Sequence, residues 1–111
     1  MAAELVSFTL ADLAQRVKER AQASADVSYT RKLLDKGVAH CAKKFGEEAV
    51  ETVLAAVGED RERVISEAAD VLYHLVVLLE ARGIAVTEVE TELATRTAQS
   101  GLQEKASRPR E

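Results

Sequence analysis

Two stretches decide the interpretation of this 111-residue chain: K-K-F-G-E-E-A-V-E at residues 43–51 and E-A-A-D-V-L-Y-H at residues 67–74. Side chains three and four residues apart share one face of a helix, so Glu48 and Glu51 project together, as do Glu67 and Asp70 on a second helix. Four carboxylates facing one another in a partly dry cleft need cations or protons to neutralise them. Mg2+ prefers such oxygen ligands and keeps water positions that phosphates can fill. If the two helices face each other, these residues would suit a hard divalent cation such as Mg2+; two solvated acidic faces are the alternative.

The remainder of the chain has the apolar spacing of helices and no run typical of a strand. Apolar side chains recur every three or four residues in four segments. The segments are residues 10–24, 29–58, 60–81 and 87–99. We expect Gly37 to break the second of these four main helices, because a glycine inside a helix costs about 1 kcal/mol relative to alanine. Thr9, Ser28 and Thr87 are the predicted N-caps. The predicted fold class is all-α.

Length and composition set further bounds. A chain of 111 residues with 47% hydrophobic residues is one domain, small enough to need a second copy to complete its core. We expect an ordered core over about residues 8–99 and a flexible basic tail at residues 100–111. The net charge of −4 gives no basic field for nucleic acid. The longest apolar run, residues 71–79, is too short to cross a bilayer, so a cytoplasmic protein is predicted.

Cys41 is the single cysteine, which excludes an intrachain disulfide and a cysteine-based zinc site. It lies beside the apolar stripe of its helix. A buried, inert thiol is therefore favoured over a reactive one.

Four segments, in order, resemble the phosphoribosyl-ATP pyrophosphatase family of the MazG-like superfamily of all-α nucleotide pyrophosphohydrolases. The segments are S-Y-T-R-K-L-L at 28–34, K-F-G-E-E-A-V-E at 44–51, E-A-A-D-V-L-Y-H-L at 67–75 and S-G-L-Q-E-K-A-S-R at 100–108. The resemblance implies a MazG-like helical bundle completed by homodimerisation. It also implies Mg2+-dependent hydrolysis of phosphoribosyl-ATP to phosphoribosyl-AMP and pyrophosphate in histidine biosynthesis. The next activity, phosphoribosyl-AMP cyclohydrolase, is expected on a separate chain.

The resemblance also implies roles for the acidic residues. Glu48, Glu51, Glu67 and Asp70 correspond to magnesium ligands, whereas without the resemblance they would more often be solvated acidic faces. Glu47 is either an outer ligand or the residue that orients the attacking water. Glu47 or Glu48 is the candidate general base.

Substrate contacts are predicted in three parts of the chain. Lys32 belongs to a basic cluster that is otherwise a solvated face, and Lys44 contacts a phosphate or pairs with Glu48. His74 contacts substrate or metal, although a histidine on an apolar helix is more often a packed residue. In the tail, the resemblance adds further candidates that would fold over the substrate. These are Ser100, Lys105 and Arg108.

Two other functions fit the same pattern of residues. The first is a housecleaning hydrolase of non-standard nucleoside triphosphates, which would release pyrophosphate from dUTP or dCTP. The second is a non-catalytic helical partner module, which would show neither Mg2+-dependent thermal stabilisation nor phosphate release.

Overall fold

The computed structural model describes residues 6–98 and 101–109, and within these ranges every regular element is a helix. The helices are α1 (Leu10–Ala21), α2 (Tyr29–Asp35), α3 (Val38–Gly58), α4 (Arg61–Ala81), α5 (Val86–Thr97) and α6 (Gly101–Ser107). The all-α prediction is confirmed. No helix in the described ranges is both long and apolar enough to span a membrane.

Side-chain caps explain where the first helices begin. Thr9 Oγ1 accepts a hydrogen bond from the Asp12 backbone N–H at 3.2 Å, and the Asp12 carboxylate accepts one from the Thr9 N–H at 2.9 Å. This reciprocal pair occupies two donors that the start of α1 would leave unpaired. Ser28 caps α2 by accepting from the Arg31 N–H at 3.0 Å, and its hydroxyl donates to the Arg20 carbonyl at 2.8 Å. The predicted N-caps Thr9 and Ser28 are confirmed.

Gly37 separates α2 from α3, as predicted. Its φ of 93° lies in the left-handed region, which a side chain would strain. The chain therefore changes direction at Gly37, and α3 starts at the next residue instead of continuing α2.

The antiparallel hairpin of α3 and α4 is the centre of the fold. Each helix has 21 residues, and only Glu59 and Asp60 connect them, so the two helices pack along their lengths. Helices α1 and α2 pack against one end of this hairpin, and α5 packs against α1. The hydrophobic core lies there, and its fully buried members come from four helices. They are Val17, Leu33, Cys41, Val76 and Val77.

One sequence prediction differs from the structure. Helix α5 begins one residue before the predicted cap Thr87, and Ala85 is its N-cap. The Glu88 carboxylate accepts a hydrogen bond from the Ala85 N–H at 2.8 Å, while no side chain at Ala85 caps the first turn. Within the predicted tail, the structure describes the short helix α6 at Gly101–Ser107, which contacts α5. The flexibility of the tail stays a prediction.

Candidate metal and substrate site

Three carboxylates from the α3–α4 hairpin meet in one place. Glu48 of α3 and Glu67 and Asp70 of α4 each present an oxygen, and these oxygens all lie within 4.8 Å of one another. The antiparallel pairing of the helices is what brings residues 19 and 22 positions apart in sequence to the same level. The structure therefore brings together three of the four acidic residues that the sequence pattern selected.

Glu67 is the buried member of this cluster, with 5% of the residue exposed. Its Oε1 lies 3.3 Å from Arg63 Nη2, while its buried Oε2 has no hydrogen-bond partner among the described residues. Burial raises the pKa of Glu67, the Arg63 guanidinium opposes this, and the carboxylates of Glu48 and Asp70 raise it further. A buried carboxylate oxygen without a donor, facing other carboxylates, is a poor arrangement for a protein with no cation.

The donor set fits a hard divalent cation. All the converging groups are carboxylate oxygens, one of them unsatisfied and shielded from water, and neither a thiolate nor an imidazole belongs to the group. Oxygen-only coordination is typical of Mg2+, Ca2+ and Mn2+. The cluster could therefore bind a metal ion of this kind.

Thr52 lies between α3 and α4 beside the cluster and can hydrogen-bond across them. This residue was not predicted from the sequence. Its Oγ1 lies 2.9 Å from the Glu48 carbonyl oxygen and 3.1 Å from the Glu67 carbonyl oxygen, so its proton can be donated to either. Both acceptors belong to residues whose side chains form the cluster. Thr52 follows Glu48 by four residues, which places both on one face of α3. The contact of Thr52 with α4 could not be predicted, because it depends on how the two helices pack.

Glu51 and Glu47 lie at the edge of the site. Glu51 is exposed and outside the group of three, although its charge contributes to raising the pKa of Glu67. Glu47 is also exposed, and its Oε1 lies 3.4 Å from Lys44 Nζ. This ion pair differs from the predicted Lys44–Glu48 pair. The Glu47 carboxylate is the main cause of a raised pKa at Lys44, which is therefore firmly an ammonium ion.

His74 lies one turn beyond Asp70 on α4 and is 6% exposed. Its ring contacts Tyr73 edge-to-face at 5.0 Å between centroids and Tyr29 at 6.4 Å. Burial, with Lys44 adding to it, lowers the pKa of His74, so the ring is neutral at pH 7. Within the described residues its Nδ1 has no hydrogen-bond partner. His74 is thus packed, as the commoner interpretation expected, and still has an unpaired nitrogen.

The remaining predicted substrate residues lie in two regions. Lys32 is exposed on α2 and shares a groove with Lys44. Lys105 lies on α6 and Arg108 follows it, whereas Ser100 lies outside the described residues. Helix α6 contacts α5.

Fold and site define a class: an all-α protein in which two paired helices present a carboxylate cluster suited to a metal ion. The family model described as phosphoribosyl-ATP pyrophosphohydrolase matches residues 10–97, and the chain belongs to this family. The family predicted from the four sequence segments is thereby confirmed.

Similar proteins cover nearly the whole chain. The chain is 64% identical to phosphoribosyl-ATP pyrophosphatase 1 of Bradyrhizobium diazoefficiens over 91% of this chain and 95% of that protein. It is 61% identical to phosphoribosyl-ATP pyrophosphatase 1 of Rhodopseudomonas palustris, over 96% of this chain and 100% of that protein. It is 66% identical to phosphoribosyl-ATP pyrophosphatase of Azorhizobium caulinodans, over 92% and 94%.

Proposed function

We propose that this protein hydrolyses phosphoribosyl-ATP to phosphoribosyl-AMP and pyrophosphate in histidine biosynthesis, with Mg2+ as its cofactor. Family membership and the names of its relatives support the reaction. The observation that carries the metal assignment is the convergence of Glu48, Glu67 and Asp70, with one buried carboxylate oxygen left unpaired.

Glu48, Glu67 and Asp70 would hold the cation, with Glu51 beside them at the exposed edge. A bound Mg2+ would neutralise phosphate charge and lower the pKa of a water molecule. The buried position of Glu67 keeps its carboxylate in one orientation, while Arg63 holds its other oxygen. Glu48 is partly exposed and Asp70 is exposed, so a cation held by them would keep positions open to water and to phosphate oxygens.

Residues next to the cluster would accept the proton of the attacking water and bind the phosphate charges. Glu47 or Glu48 would act as the general base or orient the attacking water, and the protein forms no covalent intermediate in this scheme. Lys44 and Lys32 would bind phosphate oxygens as ammonium ions. The neutral ring of His74 would accept or donate one hydrogen bond through its unpaired nitrogen.

A homodimer would complete the bundle. The end of the hairpin farthest from the core has several exposed apolar side chains, each at least 56% exposed. They are Val50, Val53, Leu54, Val57 and Ile65. The radius of gyration of 16.3 Å also exceeds the roughly 13 Å expected for a compact chain of this length. We infer that a second copy of the chain covers this end, since an apolar surface on two adjacent helices is typical of an interface.

Three further assignments rest on the family resemblance. Ser100, Lys105 and Arg108 would close over the substrate once it binds. A separate phosphoribosyl-AMP cyclohydrolase would take the product, and the enzyme would work in the cytoplasm.

Release of pyrophosphate from phosphoribosyl-ATP, with and without Mg2+, tests the proposal. The variants Glu51→Gln and Asp70→Asn keep the size of each side chain and remove its charge. We expect each to abolish turnover while circular dichroism shows an unchanged helical content. Glu62→Gln, an exposed acid on α4 away from the cluster, is the matched control and should stay active. Mg2+-dependent activity retained in either cluster variant would refute the assigned roles.

A further inference from the structure

A groove of about 490 Å³ lies between α2 and α3, next to the carboxylate cluster. The change of chain direction at Gly37 produces it, because α2 and α3 diverge from that residue instead of forming one rod. The groove is open to solvent and adjoins the acidic site through Lys44.

The rim of this groove is cationic. Lys32 and Lys36 are four residues apart and therefore lie on one face of α2. His40 and Lys44 have the same spacing on α3 and line the other side. The acidic residue in the lining, Asp35, is already engaged by Arg31, whose Nη2 lies 2.6 Å from its carboxylate. The groove thus presents three ammonium groups and an imidazole to whatever enters it.

The floor of the groove is apolar and aromatic. Ala25 and Leu33 contribute aliphatic surface, and Tyr29 contributes a ring that is part of a residue 54% exposed. The Tyr73 ring lies near the Tyr29 ring, with centroids 6.5 Å apart and planes 18° apart. An accessible aromatic ring such as that of Tyr29 is suited to stacking on a heterocyclic base. A bare pyrophosphate would leave this apolar floor without a partner.

The groove and the metal site follow one stripe of α3. His40, Lys44 and Glu48 are spaced by four residues, so they lie along one side of the helix, about 6 Å apart per step. A ligand whose phosphoryl group lies at Glu48 can therefore extend past Lys44 into the groove.

We propose that this groove binds the part of the substrate that is not cleaved, with the purine against Tyr29 and the 5-phosphoribosyl phosphate on Lys36 and His40. The proposal rests on the proposed function, since it places the reacting phosphoryl group at the carboxylate cluster. It assigns the leaving pyrophosphate to the other side of that cluster. It also predicts a preference for phosphoribosyl-ATP, because an ordinary nucleoside triphosphate has no phosphate apart from its triphosphate chain that could contact Lys36 and His40.

Calorimetric binding of two probes to the full chain tests the assignment. Phosphoribosyl-AMP retains the groove-binding part of the substrate, and inorganic pyrophosphate represents the leaving group. Lys36→Gln should weaken phosphoribosyl-AMP binding about tenfold, the equivalent of one charge-assisted hydrogen bond, and leave pyrophosphate binding unchanged. Lys36→Arg should restore it. Lys43→Gln, which removes a lysine of α3 outside the groove, should change neither affinity.

Two results would overturn the proposal. Weaker binding of pyrophosphate with unchanged binding of phosphoribosyl-AMP would assign the groove to the leaving group. If the wild type and Lys36→Gln bind each probe with the same affinity, Lys36 contacts neither part of the substrate, and the groove is not a substrate-binding site. The binding measurement does not depend on turnover, so it can be separated from the proposed function. If the wild type binds phosphoribosyl-AMP through Lys36 but releases no pyrophosphate from phosphoribosyl-ATP, the proposed function is refuted and the binding groove is not.

Discussion

The Thr52→Val substitution separates the positioning of the carboxylates from their chemistry. Valine matches threonine in shape, so no cavity forms, and only the hydroxyl between α3 and α4 is lost. One such hydrogen bond contributes about 1 kcal/mol net, which corresponds to roughly 4 °C in Tm for a domain of this size. Because the hydroxyl lies between the carbonyl oxygens of Glu48 and Glu67 and can donate to either, its loss should also loosen the side chains of these two residues. The stabilisation produced by Mg2+ should therefore shrink.

Thermal unfolding followed by circular dichroism, with and without Mg2+ at one fixed protein concentration, measures both effects. Thr91→Val is the matched control, because Thr91 Oγ1 makes the same bond to the carbonyl four residues before it, at 2.9 Å, on exposed α5. We expect a smaller loss of Tm in Thr91→Val and an undiminished Mg2+ response. If the two variants show the same loss of Tm and the same response to Mg2+, the Thr52 hydroxyl bonds only within α3. The claim that it holds α3 and α4 in position would then be refuted.

Three other predictions concern the core, the histidine and the interface. Burial raises the pKa of the Cys41 thiol, whose Sγ lies 3.3 Å from the Leu33 carbonyl oxygen, so a thiol reagent should label it only after unfolding; rapid labelling of the native protein would contradict its burial. The folded state lowers the pKa of His74 below 6.5, so the unfolded chain takes up the proton more readily, and the free energy of unfolding should fall as pH drops below that value. Denaturant titration should show a smaller fall in His74→Gln, and an equal fall would exclude His74 as its source. Val57→Lys places a charge on a residue that is 85% exposed in the single chain, and sedimentation should show a dimer converted to monomers; an unchanged mass would place the interface elsewhere.

Local physics made much of the fold predictable. Thr9 with Asp12, and Ser28 before α2, are caps that depend on residues within three positions of each other, so the sequence contains the whole interaction. Gly37 is similar, since a backbone at φ 93° requires glycine whatever surrounds it. The shared faces of α3 and α4 also followed from spacing alone. These features explain why the all-α fold was predicted correctly and why three of the four predicted carboxylates, Glu48, Glu67 and Asp70, lie together.

Features that depend on contacts between helices were not predictable in the same way. The burial of Glu67 and the cross-helix bond of Thr52 require the register of α3 against α4, which no single helix encodes. The position of Glu51 outside the group of three arises from the same register. Thr87 is not the cap, because α5 already begins at Val86, with Ala85 as its N-cap and the Glu88 carboxylate accepting the Ala85 N–H.

Binding of Mn2+, followed by electron paramagnetic resonance in the absence of substrate, tests the central claim most directly. Mn2+ prefers the same oxygen ligands as Mg2+ and reports its own free concentration. The wild type and Glu62→Gln should bind the ion equally, and a chain with both Glu67→Gln and Asp70→Asn should lose this binding. Undiminished binding in that double variant would mean that the cation lies elsewhere, and the carboxylate cluster would not be the metal site.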